Sequence, residues 1–133
     1  MNLIYIAKTI SFLTVFGYGL LLTCVPNKFL GNFIYKTKLW DEFKPKEDST
    51  SKHVLDHLLS GLGLTWIAWS SMYFMDVQDE NTFVIVNIII WAMFSALDMQ
   101  IRKKGLYSPI ASKINILMVN MILATYIACL PNI

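Results

Sequence analysis

The chain has 133 residues, of which 56% are hydrophobic and only 15% charged, with a formal net charge of +2. Soluble domains sit nearer ~45–50% apolar and ~25% charged, and a chain this short buries too little of its area to hide the excess in one core. Lipid is therefore expected to cover it, a second domain is excluded by length, and the charge is too small to argue for nucleic acid.

Four segments supply the ~20 apolar residues that a spanning helix needs: 3–25, 54–75, 82–101 and 110–130. The first has no basic leader and no small-residue cleavage site, so it reads as a retained span and not a signal peptide. Within it, Thr14-Val15-Phe16-Gly17-Tyr18-Gly19 invites comparison with a potassium-channel filter. That filter is an extended re-entrant loop; here Phe16 breaks the order and the run lies inside a helix, so the match is read as coincidence. Lys8, Ser11 and Gly19 share one face of this helix.

Pro26 closes the first span. Phe29, Leu30, Phe33 and Ile34 then recur at helical spacing beside Lys28 and Lys36. This pattern predicts an interfacial segment over 27–40 in the headgroup region, anchored by Tyr35 and Trp40. Residues 41–52, mixed in charge, read as a short hydrophilic loop.

At ~100° per residue the second span divides into two sides. His53, Asp56, His57, Ser60, Gly61, Gly63, Ala68 and Ser71 form one; Leu55, Leu58, Leu59, Leu62, Trp66, Trp69 and Tyr73 form the other. Small and polar residues mediate helix contact in lipid, so the first side is expected inward and the aromatic side outward. An acidic turn, 76–81, leads into the third span, where Asn87 and Asp98 align. On the fourth, Lys113, Asn120, Ala124 and Ala128 align, and Ala92/Ala96 and Ala124/Ala128 are small-residue pairs of the contact type. Short links predict an up-down bundle.

Lysine and arginine set the orientation. Loop 26–53 carries Lys28, Lys36, Lys38, Lys44, Lys46 and Lys52, and loop 102–109 carries Arg102, Lys103 and Lys104. Both are expected on the cytoplasmic side (or the matrix or stromal equivalent), with the N- and C-termini outside. Cys24 and Cys129 then fall a bilayer apart, roughly 30 Å, and are read as free thiols.

Four ionisable groups, Asp56, His57, Asp98 and Lys113, come out at one depth, on the order of 10 Å from the midplane. One reading is structural: an Asp98–Lys113 ion pair and a hydrogen-bonded His57 lock the bundle, or Lys113 and Asp56 snorkel to the nearby interface. The other is catalytic or binding chemistry, with Asp98 and His57 as an acid–base pair acting on a lipophilic molecule. His53 and His57, four apart, are candidates for holding a cofactor such as haem, but Asp56 or Asp98 would have to complete a site and no metal is assigned.

No motif identifies a family; the hydropathy layout resembles that of small DoxX-like four-helix membrane proteins, and hydropathy alone implies no activity. The fold expectation is all-α: an integral membrane bundle of four transmembrane helices with an interfacial segment in the first loop. The leading functional expectation is a non-enzymatic accessory or assembly subunit that meets a membrane-protein partner through Trp66, Trp69 and Tyr73. The alternatives are a membrane-embedded enzyme or binding protein for a quinone, sterol or other lipid, and an oligomeric pore.

Overall fold

The computed structural model describes residues 2–76 and 78–130. Val77 of the acidic turn and the uncharged tail 131–133, expected on the outer side, lie outside the described residues. The chain folds as α1 (Leu3–Cys24), a single turn α2 (Pro26–Lys28) running into a π-helical stretch (Phe29–Ile34), and α3 (Thr37–Phe43). Then come α4 (Thr50–Ser70), a closing 3-10 turn (Ser71–Phe74), α5 (Glu80–Lys103) and α6 (Pro109–Cys129).

Each long helix begins on a side chain that accepts an otherwise orphaned backbone N–H. Asn2 caps α1 through Ile4 and Ser49 caps α4 through Lys52. Asp79 caps α5 through Asn81 and Thr82. Ser108 caps α6 through Ala111, with Pro109 in the first turn where its missing N–H costs nothing. The sequence expectation of helices near 3–25, 54–75, 82–101 and 110–130 is met, with α4 starting earlier and α5 running two residues further.

Among the described residues three helices, α1, α5 and α6, are long and apolar enough to cross a membrane. Helix α4 equals α6 in length at 21 residues, but Lys52, His53, Asp56 and His57 crowd its first two turns, and it is not among the three.

Helix α1 is the central strut. It packs along α4 on one side and α6 on the other, while α5 packs along α6. The α1–α4 contact is close because it is glycine against glycine: a Cβ on Gly19 would lie 2.9 Å from the Gly63 carbonyl oxygen, and one on Gly63 would lie 2.8 Å from that of Gly19. Two buried clusters follow. Near the chain ends Ile4, Ala7, Tyr73, Val84, Ile122 and Tyr126 come together, and their polar atoms pair off. Ser11 and Tyr126 hydroxyls lie 3.1 Å apart, and the Tyr73 hydroxyl donates to Asn87 at 3.1 Å. At the other end Leu22, Phe29, Ile34, Tyr107 and Ala111 cluster.

That second cluster ties the first and third loops together. The Lys36 N–H donates to Leu106 at 3.2 Å, the Ser108 N–H to Ile34 at 2.9 Å, and the Ser108 hydroxyl to the Phe33 carbonyl. Both basic loops therefore meet at one end of the bundle. The 27–40 segment is more than a surface strip: Phe29 and Ile34 are buried under it, and helix continues past Trp40 to Phe43. Cys24 is exposed and Cys129 buried, both as free thiols.

Two facial expectations are corrected. On α4, Leu55, Leu59, Leu62, Trp66 and Trp69 face an internal cavity and Tyr73 is buried, whereas His53, His57, Gly61, Ala68 and Ser71 are exposed. Only Gly63 and Ser60 of the small, polar side turn toward α1. The rule of small residues inward presumes a close-packed neighbour, and α4 has one only along α1. On α6 the buried stripe is Ala111, Asn115, Val119, Ile122, Tyr126 and Cys129, so Lys113, Ala124 and Ala128 are exposed, as are Ala92 and Ala96 of α5. Asn120, though exposed, accepts a hydrogen bond from the Ser95 hydroxyl of α5 at 2.8 Å.

Candidate functional site

Helices α4 and α5 follow one another in the chain but are held apart by rings. Trp69 stacks on Phe94 at 6.0 Å and on Trp91 at 6.1 Å between ring centroids, and Trp66 meets Phe94 edge-on at 6.3 Å. Rings this large keep the two backbones from closing. The space left between α4, α5, α1 and α6 is a cavity of about 530 Å³, within the ~300–1,000 Å³ usual for small-molecule sites.

All four tryptophans of the chain line this cavity: Trp40, Trp66, Trp69 and Trp91. Leucines 55, 59 and 62 complete the α4 wall, and Leu97 and Ile101 the α5 wall. Leu62 and Leu97 line the interior and are also 46% and 49% exposed on the outside. They mark a mouth that opens sideways between α4 and α5, with an apolar rim.

The polar groups gather toward the loop end. Asp98, 7% exposed, accepts a hydrogen bond from the Tyr107 hydroxyl at 2.6 Å. Burial, then the hydrogen bond to Asp98, pushes the Tyr107 hydroxyl well above its ordinary value, so it stays protonated and donates. Beside this pair the Tyr18 hydroxyl donates to Asn115. The π-helical stretch and the turn after it supply the roof: Phe29, Leu30, Ile34 and Tyr35, with Trp40 stacked on Tyr35 at 6.5 Å. Widened π-turns recur at functional sites because they re-aim side chains that α-geometry would place elsewhere. Gly31 makes the roof compact, since a Cβ there would collide with the Trp40 ring.

Of the four ionisable groups expected at one level, only Asp98 lines the cavity. Its observed partner is Tyr107, where an ion pair with Lys113 was the structural expectation. Lys113 lies two positions from each of the buried residues Ala111 and Asn115, and two helical positions turn a side chain by ~200°; it is exposed. The same step removes His57 from the wall formed by Leu55 and Leu59, and His53 is exposed with it. Asp56, half-buried, instead accepts from the Asn27 side chain at 3.1 Å. Among the described residues no group of three His, Cys, Asp or Glu side chains could hold a metal ion.

Comparison with known protein families, curated proteins and solved structures finds no match.

The cavity itself is thus what carries functional argument, and several of its groups were not singled out in the sequence. Tyr107 sits in a loop that follows the left-handed turn at Gly105, φ 67°, and is held by its pairing with Tyr35 of the first loop. Asn115 carried a signal: it falls on the 111–115–119–122–126 stripe that α6 buries. Trp91 carried another, lying seven residues before Asp98 and therefore on its face. The Trp91 indole N–H is buried and has no acceptor among the described residues.

Proposed function

We propose that this chain is a membrane-embedded binding protein for a lipophilic small molecule, with α4 as a fourth span. The observation that carries the reading is the aromatic cavity between α4 and α5, with Asp98, Tyr107, Tyr18 and Asn115 toward its loop end, and open sideways through Leu62 and Leu97. An apolar mouth suits a ligand that arrives through hydrocarbon and not through water. Helix α4 is long enough to span, ~31 Å at 1.5 Å per residue, and exposes Leu58, Leu62 and Leu64. Its charged first turns would rest at the interface beside the basic loops, which the lysine and arginine distribution assigns to the cytoplasmic side.

In this reading the hydrocarbon body of the ligand lies between the rings of α4 and α5. Its polar group meets Asp98, Tyr107 and the Tyr18–Asn115 pair. Of the three aromatic residues expected to meet a partner protein, Tyr73 is buried and Trp66 and Trp69 line the cavity.

Photolabelling tests the proposal. An alkyl diazirine in vesicles containing the full chain should label Leu59, Phe94 and Trp91 in a manner that saturates with probe. Labelling confined to outward residues such as Leu58 and Met93, rising linearly with probe, would reject it.

A further inference from the structure

We infer that the molecule held in this cavity is a lipophilic amine, bound as its ammonium ion against Asp98 with its hydrocarbon body between the rings of α4 and α5. The inference rests on the reading of the cavity as a binding site and names the chemistry of its occupant.

The first argument is charge. Asp98 is nine-tenths buried, and the cavity wall around it contains no lysine, arginine or histidine. Lys113, the cation that its depth made the natural partner, points out of the bundle. A carboxyl in so apolar a setting is held ionised only with a cation close by.

The second argument is vacancy at the carboxylate. Tyr107 donates to one oxygen of Asp98, and among the described residues no side chain donates to the other. A carboxylate offers about four lone-pair directions, so an incoming N–H can share the group with Tyr107 and need not displace it.

The third argument is the wall. Trp91, Phe94 and Asp98 are spaced i, i+3, i+7 and share one face of α5, with Trp66 and Trp69 opposite. These rings take the hydrocarbon body, and the carboxylate lies on the same face of α5. An anionic head would be repelled by Asp98. A neutral sterol or quinone could use Tyr107 and Asn115 but would bring no cation to Asp98.

The test uses the full chain in phosphatidylcholine nanodiscs at neutral pH, titrated calorimetrically with dodecylamine and, separately, with dodecanol of equal chain length. Wild type is expected to bind the amine tighter by on the order of tenfold or more, and Asp98→Asn to erase that preference while alcohol binding persists. Equal affinity for the two probes in wild type, with both lost in the cavity-filling Leu59→Trp variant, would overturn the amine assignment and leave the binding site standing. Absence of saturable binding by either probe, or binding that Leu59→Trp does not affect, would overturn the binding site and the amine together. The wild-type comparison of amine with alcohol decides even if Asp98→Asn fails to fold.

Discussion

Replacing Gly63 by alanine should separate the α1–α4 contact from every other effect of a glycine in a helix. A Cβ at position 63 would sit 2.7 Å from the Thr23 backbone nitrogen and 2.8 Å from the Gly19 carbonyl oxygen. An ordinary carbon–oxygen approach is ~3.3 Å, so the helices must part by roughly half an ångström along their crossing. The obstacles include main-chain atoms of α1, which cannot swing aside as a side-chain tip could. Overpacking of this kind costs about 1–3 kcal/mol, while alanine regains about 0.8–1.0 kcal/mol of helix propensity over glycine. Gly61, two residues earlier in α4, has nothing within 4 Å of its notional Cβ and supplies the control. The propensity term cancels between the variants, so Gly63→Ala should be less stable than Gly61→Ala by about 1–3 kcal/mol. Reversible unfolding in mixed dodecylmaltoside–SDS micelles, followed by circular dichroism, measures the difference. Equal stability of the two variants would refute the crossing.

Three further expectations concern single contacts. Tyr107→Phe removes the donor from a buried carboxylate, and bonds to charged groups are worth about 1.5–3 kcal/mol, so the same unfolding assay should show a loss of that size; an unchanged midpoint would mean that Asp98 is not held by Tyr107. Ser11 and Tyr126 should couple by about 1 kcal/mol in a double-mutant cycle of Ser11→Ala and Tyr126→Phe, and zero coupling would deny the hydroxyl pair. The Thr82 hydroxyl, then the Thr82 and Asn81 amides, hold the Asp79 carboxyl below its ordinary 3.8. Its contribution to the first turn of α5 is therefore complete above pH 3.8 and fades as pH falls through the lowered folded value. The Asp79 carboxyl carbon, followed by NMR, should titrate below 3.8, with the helical shifts of Asn81 and Thr82 lost alongside; a midpoint at or above 3.8 contradicts the cap.

The long helices were readable because hydropathy, proline and turn residues agree at most of their boundaries; the start of α4 at Thr50, among charged and polar residues, was not. Pro26, Asp79 and Ser108–Pro109 mark turns that the chain indeed makes. Facing was only partly readable. Ser11, Gly19, Asn87 and Asp98 are buried as their polar stripes implied, because each meets a close neighbour. Helix α4 reverses the rule, since a cavity and not a helix lies beside its leucines and tryptophans, and sequence periodicity cannot tell a hole from lipid. Of the candidate site residues, Asp98 alone reaches the cavity. Its place on the inner face of α5 was legible from its alignment with Asn87. Its partner was not: Tyr107 comes into place through a turn at Gly105 and through the pairing of the first loop with the third, and neither leaves a periodic trace.

Mass spectrometry of the intact chain, released in the gas phase from a mild detergent after extraction from its native membrane, bears most directly on the central claim. The wild-type protein should carry one small lipophilic molecule per chain, and Leu59→Trp, folded but with its cavity filled, should carry none. A wild-type chain that flies bare, holds a stoichiometric protein partner and no small molecule, or keeps the same adduct in the filled variant would contradict the claim.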